Sequence, residues 1–590
     1  MGSYMSPKET DFYNRFIRDL ASVNENPNYG FGFLSEKWAK EIPDNVALYF
    51  QDTSWTWRAF NEESNKIANF FLNLGLNPNE SIALMLENSP ESLFITSGIN
   101  KIQGISALVN FNQKKQALAH SFKIVNSKYI VVDGDNLHSF YEIVEDLPLK
   151  HDQIFVVNNT KDIPHDFRDL PSELKSASKA DLKPPLDTIM EDTALYIYTS
   201  GTTGLPKAVV MANVKIYTQG FFLGSSLTDL TPQDIIYIPT PLYHNLSIGC
   251  AWIAALLSGA GTVLRKRFSA SEFWKDIKKY NATYTIYVGE IPRYLLNQPE
   301  SEYEKNTPLK KMVGLGLRKN IWEKFKTRFK VEHIYEFYGS TEGHYSLINI
   351  DQVPGMVGRN NMVGLVLAKC DPDTGEFYRN EKGFCIKCKP GEVGMAMLKV
   401  DKKSVFRGYR DKEKTQKKMM NNVFRKTDCY FNTGDMLQLH EDLWISFYDR
   451  FGDTFRWKSE NVSTLEIEAI LNSYPSILMS AVYGVNIPNT EGKAGMAVIE
   501  LDDLIKFDIS EFSQFITEVL PKYAIPVFLR ISDKLELTGP MKIKKVNFRK
   551  EAYEIDKIKD PLYLWDSKNK KYIPFGKVKY TDILEGRIIV

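Results

Sequence analysis

Residues 56–133 repeat an alternation that few folds accommodate. Phe60, Ile67, Phe71 and Leu74 recur at helical spacing until Gly75, and the apolar run 81–86 that follows reads as a strand. Residues 90–104 are again helical in period. A strand at 105–109, a helix at 113–125 and a buried strand at 129–133 complete the series. Strands separated by helices return in the same direction, so the alternation predicts an α/β fold on largely parallel sheets. From about 134 to 192 the period lapses into a stretch rich in Asp, Pro and Lys, which reads as an irregular surface connection.

The alternation resumes at 194–208, ALYIYTSGTTGLPKA, a β-branched and aromatic run that breaks into Thr199, Ser200, Gly201, Thr202, Thr203 and Gly204 and then reaches Lys207. This is the composition of a phosphate cradle: glycines let backbone N–H groups approach phosphate oxygens, hydroxyls add donors, and a lysine neutralises charge. It is not a Walker A loop, because Leu205 and Pro206 separate Gly204 from Lys207 and no Gly-Lys-Ser/Thr occurs. Further strands are expected at 283–288 and 331–337, the second running into Tyr338, Gly339, Ser340, Thr341, Glu342 and Gly343.

A chain of 590 residues outgrows one ordinary core, so at least two domains are expected. The 74 Lys and Arg against 73 Asp and Glu leave no basic excess, and no nucleic-acid partner is expected. Five cysteines and no signal-peptide pattern suit a reducing compartment, cytoplasmic or peripheral on the cytoplasmic face of a membrane. Cys385 and Cys388 form a lone CxxC without the second pair that a zinc site would need. The uncharged stretch 247–264 is broken by Gly249, Gly259 and Gly261 and reads as a core helix and strand, so no spanning segment is expected. Met1-Gly2 with Ser6 fits the short myristoylation pattern, which leaves room for peripheral membrane association.

Three other stretches suit the same ligand as the loop. In 338–343 the carboxylate of Glu342 is of a type to hold Mg²⁺ against a polyphosphate. The stretch 431–435, FNTGD, reads as a strand ending in an acidic residue, the type that binds vicinal ribose hydroxyls. Lysines follow a turn at 537–545, LTGPMKIKK, and can be presented to an anion. A domain boundary is expected at 449–453, DRFGD, beyond which 460–471, 481–485 and 512–520 suffice for a small α+β domain.

YTSGTTGLPK, YGSTEG, NTGD and DRFGD stand here in the order found in the adenylate-forming superfamily of acyl-CoA synthetases, luciferases and peptide-synthetase adenylation domains, which the chain resembles from about residue 30 to its end. YVGEIPRYLLNQP, EFYGSTE, DTFRWKSENV and DPLYLWDSKNKKYIPF are most similar to the fatty acid transport protein / very-long-chain acyl-CoA synthetase branch. The resemblance implies the adenylate-forming enzyme fold: a large N-terminal domain of α/β subdomains (1–449), a hinge (450–453) and a small mobile α+β C-terminal lid (454–590). It also implies a fatty-acid:CoA ligase that uses ATP, Mg²⁺ and coenzyme A. A long- or very-long-chain fatty carboxylate attacks the α-phosphate and pyrophosphate leaves; the coenzyme A thiol then displaces AMP.

Carried over by position, residues 199–207 hold the β- and γ-phosphates, Thr341 the α-phosphate and Glu342 the Mg²⁺. Asp435 and Arg450 hold the ribose hydroxyls, and Lys542 bridges carboxylate and α-phosphate during the first step. Residues 314–318, GLGLR, resemble the segment that lies along the adenine and acyl head, and Gly452 stands where the hinge residue is expected. Ser459, where the branch commonly has glycine, and Pro540, in place of a small hydroxyl residue, depart from the pattern. Tyr243, His244, Phe221, Phe222 and the aromatic run 284–294 are candidate walls for the acyl chain. A membrane-associated fatty-acid uptake protein, and a CoA ligase for another acid such as a bile or carnitine-related carboxylate, are the alternative readings.

Overall fold

The computed structural model describes residues 5–24, 30–158, 163, 166–182, 190–199, 205–288, 290–296, 298–317, 319–343, 345–361, 364–370, 375–401, 406–450, 454–458, 460–490, 492–502, 505–535 and 545–587. Two compact units result, one built from Met1–Phe111, Leu118–Thr199 and Lys207–Asp449 and the other mainly from Arg450–Val590.

The larger unit carries two mostly parallel sheets and one of antiparallel pairings. The first sheet has seven strands in the order Arg168–Asp169, Ile154–Val157, Tyr129–Asp133, Ser81–Met85, Ile105–Leu108, Thr193–Thr199 and Lys207–Ala212. All its pairings are parallel except the last, a hairpin that sets Thr199 opposite Lys207. The alternation expected from sequence is present: Thr56 caps the helix Trp57–Asn73 by accepting from the Ala59 N–H, and Pro90 opens the helix Pro90–Lys101.

One expectation fails here. The stretch 134–192 is not merely a surface connection, because Ile154–Val157 is a fully buried strand paired in parallel with Tyr129–Asp133. Four apolar residues between polar flanks are too few to show a period, and it is the neighbouring strand that makes them a strand.

Eight strands form the second sheet, in the order Leu347–Ile348, His333–Tyr338, Lys311–Leu315, Tyr284–Val288, Ile235–Ile238, Gly261–Leu264, Val46–Phe50 and Thr53–Thr56. Its two outermost pairings are antiparallel and the rest parallel. The stretch read as core helix and strand is both: a π-helix Leu246–Trp252 continues into the helix Ile253–Ser258, and Gly261–Leu264 is a strand. A second π-helix, Phe221–Ser225, packs beside it where Gly224 lets the chains close: a Cβ there would lie 2.4 Å from Ala254 Cβ. In the third sheet Cys429–Leu439 lies between Trp444–Arg450 and Val393–Lys399.

The N-terminal helix Pro7–Asn24 docks on this unit through Phe12 and Phe16, whose rings meet Phe222 at 5.2 Å. Ser6, read above as part of an acylation pattern, has a structural use. Its hydroxyl accepts from the Glu9 N–H, and the Glu9 carboxylate accepts from the Ser6 N–H, the reciprocal pair of a capping box. Gly2 lies outside the described residues.

The smaller unit has a hairpin, Thr454–Trp457 with Glu460–Ser463, and a five-stranded sheet in the order Ile477–Val485, Ala494–Leu501, Phe528–Ile531, Leu562–Asp566 and Lys571–Pro574. The last two strands come from the tail motif quoted above. They are anchored by the Tyr572 hydroxyl, which donates to the buried Pro526 carbonyl at 2.6 Å, and by the Phe575 ring that ends the tail motif, edge-on to Phe528 at 5.4 Å. Among the described residues no helix is long and apolar enough to cross a membrane.

Candidate functional site

Within the larger unit, residues far apart in sequence meet at the ends of the Thr193–Thr199 and His333–Tyr338 strands. The Thr199 hydroxyl donates to Glu342 Oε1 at 2.9 Å, joining the first residue of the glycine-rich loop to the carboxylate of YGSTEG. Tyr409 donates to the same oxygen at 2.9 Å. Its ring in turn covers Lys207, whose Nζ sits 5.1 Å from the ring centroid. The segment carrying Tyr409 is held by backbone bonds to the strand that Lys207 begins: Val210 N–H donates to Gly408 O and Arg410 N–H to Ala208 O. Thr199, Lys207, Glu342 and Tyr409 therefore form one cluster, with Glu342 at 8 % exposure and Lys207 at 5 %.

Beneath that cluster lies Lys215, in the first turn of the helix Asn213–Gly220. Its Nζ donates to the Thr341 carbonyl at 2.6 Å and lies 3.4 Å from the Glu342 carbonyl oxygen. Burial pushes its ammonium down to about 8, and the Glu342 charge opposes that shift.

The loop 338–343 closes on itself, with the Gly343 N–H donating to Ser340. Tyr338, the last residue of its strand, turns its hydroxyl to Asp435 Oδ2 at 2.9 Å. Asp435 was expected at a strand end, and the structure corrects this: Cys429–Leu439 runs through it. Thr433, Gly434 and Asp435 stand opposite Ala396 alone, since Met397 pairs with Asn432 and Met395 with Met436. Gly434 at φ +81° makes that bulge possible, and the Thr433 hydroxyl ties it to the Ala396 carbonyl at 2.9 Å. A carboxylate is thus re-aimed from the middle of a strand.

Sequence reading gave Glu336 no role, yet it organises the 314–318 segment. Its buried carboxylate accepts from the Tyr287 hydroxyl at 2.6 Å and from the N–H groups of Gly316 and Leu317 at 2.9 and 2.8 Å. Tyr409, Lys215 and Glu336 are the polar residues that motif reading passed over. A charged residue at an interior strand position, as in EFYGSTE, is the one signal that could have flagged Glu336.

The described geometry brings together Thr199, Lys207, Thr341 and Glu342, and separately Tyr338 and Asp435. Ser200, Gly201, Thr202, Thr203, Gly204, Gly452, Ser459, Pro540 and Lys542 lie outside the described residues, as does Arg318. Arg450 closes the strand Trp444–Arg450. Among the candidate acyl walls, Phe222 is packed by Phe12, Tyr13 and Phe16, and Tyr243 by Phe111 at 5.3 Å. The CxxC thiols are held protonated, Cys388 up at about 12, chiefly by burial. No cluster of three metal-ligating side chains occurs among the described residues.

The site's donor set suits a nucleoside triphosphate. The Thr199 and Tyr409 hydroxyls and the Lys207 ammonium are donor types that suit phosphates, and a hydrogen-bonded carboxylate such as Asp435 is of a type that suits ribose. Mg²⁺ takes hard oxygen ligands and binds through one or two carboxylates plus substrate phosphates, so Glu342 with the hydroxyls beside it fits that ion without a caged site.

Residues 35–410 match the model of the AMP-binding enzyme family, and residues 466–542 that of the AMP-binding enzyme C-terminal domain. Mouse long-chain fatty acid transport protein 6 is 37 % identical over 569 residues, covering 94 % of this chain and 90 % of that protein. The medium/long-chain-fatty-acid–CoA ligase FadD6 of Mycobacterium tuberculosis is 35 % identical, covering 96 % of this chain and 93 % of that one. In fold, the chain is similar to an o-succinylbenzoate CoA synthetase from Bacillus subtilis, with a TM-score of 0.70 at 20 % identity over 89 % of this chain and 98 % of that one. The α/β architecture, the order of the motifs and the family match agree: this chain belongs to the AMP-binding enzyme family.

Proposed function

We propose that the chain is an ATP-dependent long- or very-long-chain fatty acyl-CoA synthetase, forming acyl-AMP and pyrophosphate and then the CoA thioester. The observation that carries this reading is the meeting of Thr199 and Tyr409 on the Glu342 carboxylate, with Lys207 against the Tyr409 ring. Such a site places fixed donors and a cation around a polyphosphate. The first step brings an anionic carboxylate to an anionic phosphate, so groups already aimed at the developing charge supply most of the acceleration.

In this reading the carboxylate oxygen of the acid forms a bond to the α-phosphorus while the bond to the pyrophosphate oxygen breaks. Lys207 and the 199–204 hydroxyls and amides stabilise the leaving pyrophosphate, and the Thr341 hydroxyl donates to the α-phosphate. Asp435, aimed by the bulge and steadied by Tyr338, accepts from the ribose hydroxyls, and Arg450 donates to their oxygens. Glu342, with the hydroxyls beside it, would hold Mg²⁺, which supplies charge neutralisation across the phosphates when bound. Lys542 approaches the reacting carboxylate from the C-terminal domain, and residues 450–453 act as the hinge. In the second step the thiol sulfur attacks the acyl carbonyl carbon and AMP departs.

Pyrophosphate release across a panel of carboxylic acids, with and without coenzyme A, tests the reading. AMP and pyrophosphate should appear with medium to very long acyl chains, and sustained turnover should need coenzyme A. ADP as product, or no turnover with any acyl chain, would overturn it.

A further inference from the structure

A lysine buried in the first turn of a helix is doubly disfavoured: its charge loses water, and it faces the positive end of the helix dipole. Lys215 is 1 % exposed and occupies such a place. What compensates is specific. Its Nζ donates to the Thr341 carbonyl at 2.6 Å and lies 3.4 Å from the Glu342 carbonyl, the two successive peptide groups that carry the α-phosphate donor and the metal-binding carboxylate of the proposed site. Glu342 is pinned from its side chain by Thr199 and Tyr409, and Lys215 holds the same residue from its main chain.

We propose that Lys215 is a positioning residue for the metal–triphosphate subsite: its buried ammonium fixes the Thr341–Glu342 peptide and so sets where the Glu342 carboxylate points. The proposal rests on the functional reading above. It also gives a reason for a cation at a site where an apolar side chain would be easier to bury. The charge neutralises part of the Glu342 carboxylate's field before substrate arrives and grips two carbonyl dipoles that a methionine could not hold.

The test compares Lys215→Met, close in volume but without donor or charge, with Lys215→Arg, which keeps both. MgATP affinity is measured by calorimetry without acid substrate, and the Mg²⁺ dependence of pyrophosphate release is followed alongside. Lys215→Met should weaken MgATP binding and raise the Mg²⁺ requirement about tenfold, the usual cost of one charged hydrogen bond. Thioester formation from supplied acyl-AMP, which keeps the α-phosphate contact of Thr341 but none to metal or triphosphate, should fall several-fold less than MgATP binding, and Lys215→Arg should recover most of the loss.

Unchanged MgATP affinity and Mg²⁺ requirement in a folded Lys215→Met protein would overturn the proposal. So would an equal fall in both half-reactions, which marks a purely structural lysine. Should that variant fail to fold, Lys215→Gln, which keeps one donor without the charge, takes its place with the same outcomes. If the wild type binds MgATP yet adenylates no acid, the functional reading fails while calorimetry still decides on Lys215.

Discussion

The hydroxyl of Tyr338 and the carboxylate of Asp435, 97 residues apart in sequence, are joined by a buried 2.9 Å hydrogen bond. The bond ties the end of a parallel strand to a bulge in another sheet, and so fixes the carboxylate assigned to the ribose before any ligand arrives. Tyr338→Phe removes the donor and nothing else. A hydrogen bond to a charged group contributes about 1.5–3 kcal/mol, so the KM for ATP should rise about tenfold with a smaller change in kcat. Steady-state kinetics at saturating fatty acid would read this directly.

Glu336 is a structural support whose loss should register first in stability. In Glu336→Gln one of the oxygens facing Tyr287, Gly316 and Leu317 becomes an NH₂ group, which opposes a donor. An unsatisfied buried donor costs about 1–3 kcal/mol, and the thermal midpoint should fall by several degrees. A midpoint equal to that of the wild type would show that the carboxylate does not organise this segment.

Gly314 is confined sterically. A Cβ there would lie 2.1 Å from the Tyr287 carbonyl oxygen, a backbone atom that cannot swing aside. Gly314→Ala should therefore destabilise by more than the ordinary loss of about 1 kcal/mol and reduce soluble yield, as denaturant unfolding would show.

Lys101 gives a pH signature. It is fully buried between Asn61 and Asn65, and desolvation, partly offset by Glu36 and Asp181, moves it from 10.5 down to about 8. Between these values the unfolded chain binds the extra proton, so the charged lysine disfavours folding in full below about pH 8, and that cost fades as the pH rises toward 10.5. Measured against Lys101→Met, the wild-type unfolding midpoint should gain between pH 8 and 10.5; a flat or falling difference would contradict the assignment.

Chelation of Mg²⁺ should separate the half-reactions of the proposed synthetase. Excess EDTA should abolish pyrophosphate release, while thioester formation from supplied acyl-AMP continues, because the metal–triphosphate contacts assigned to Glu342 are used only in the first step. Lys542→Ala should show the same split, as measured by acyl-AMP formation and by thioesterification.

Much of this was legible in the chain, and the boundary of what was legible has a physical cause. The strands at 81–85, 105–108 and 129–133 were foretold because helical stretches long enough to display a period alternate with them. Ile154–Val157 was lost because four residues show none and no such helical stretch leads into them. The loops at 199–207 and 338–343 announced themselves through glycine and hydroxyl density. Lys215 and Tyr409 did not: NVKIY and FRGYR are ordinary on their own, and both residues matter only because folding carries them to Glu342. Asp435 was found by type but misplaced along its strand, since a bulge depends on the partner strand as much as on the glycine within it.

Glu336 and Tyr338 lie two residues apart on His333–Tyr338, and residues so spaced point to the same face. One holds the loop after the neighbouring strand; the other reaches across to the third sheet. A single-residue insertion or deletion before Glu336 would turn both away together, and one between them would set them on opposite faces, however conservative the residue gained or lost. Length at this position should consequently be more strictly kept than chemistry, and engineered chimaeras of this chain should place their crossover points elsewhere.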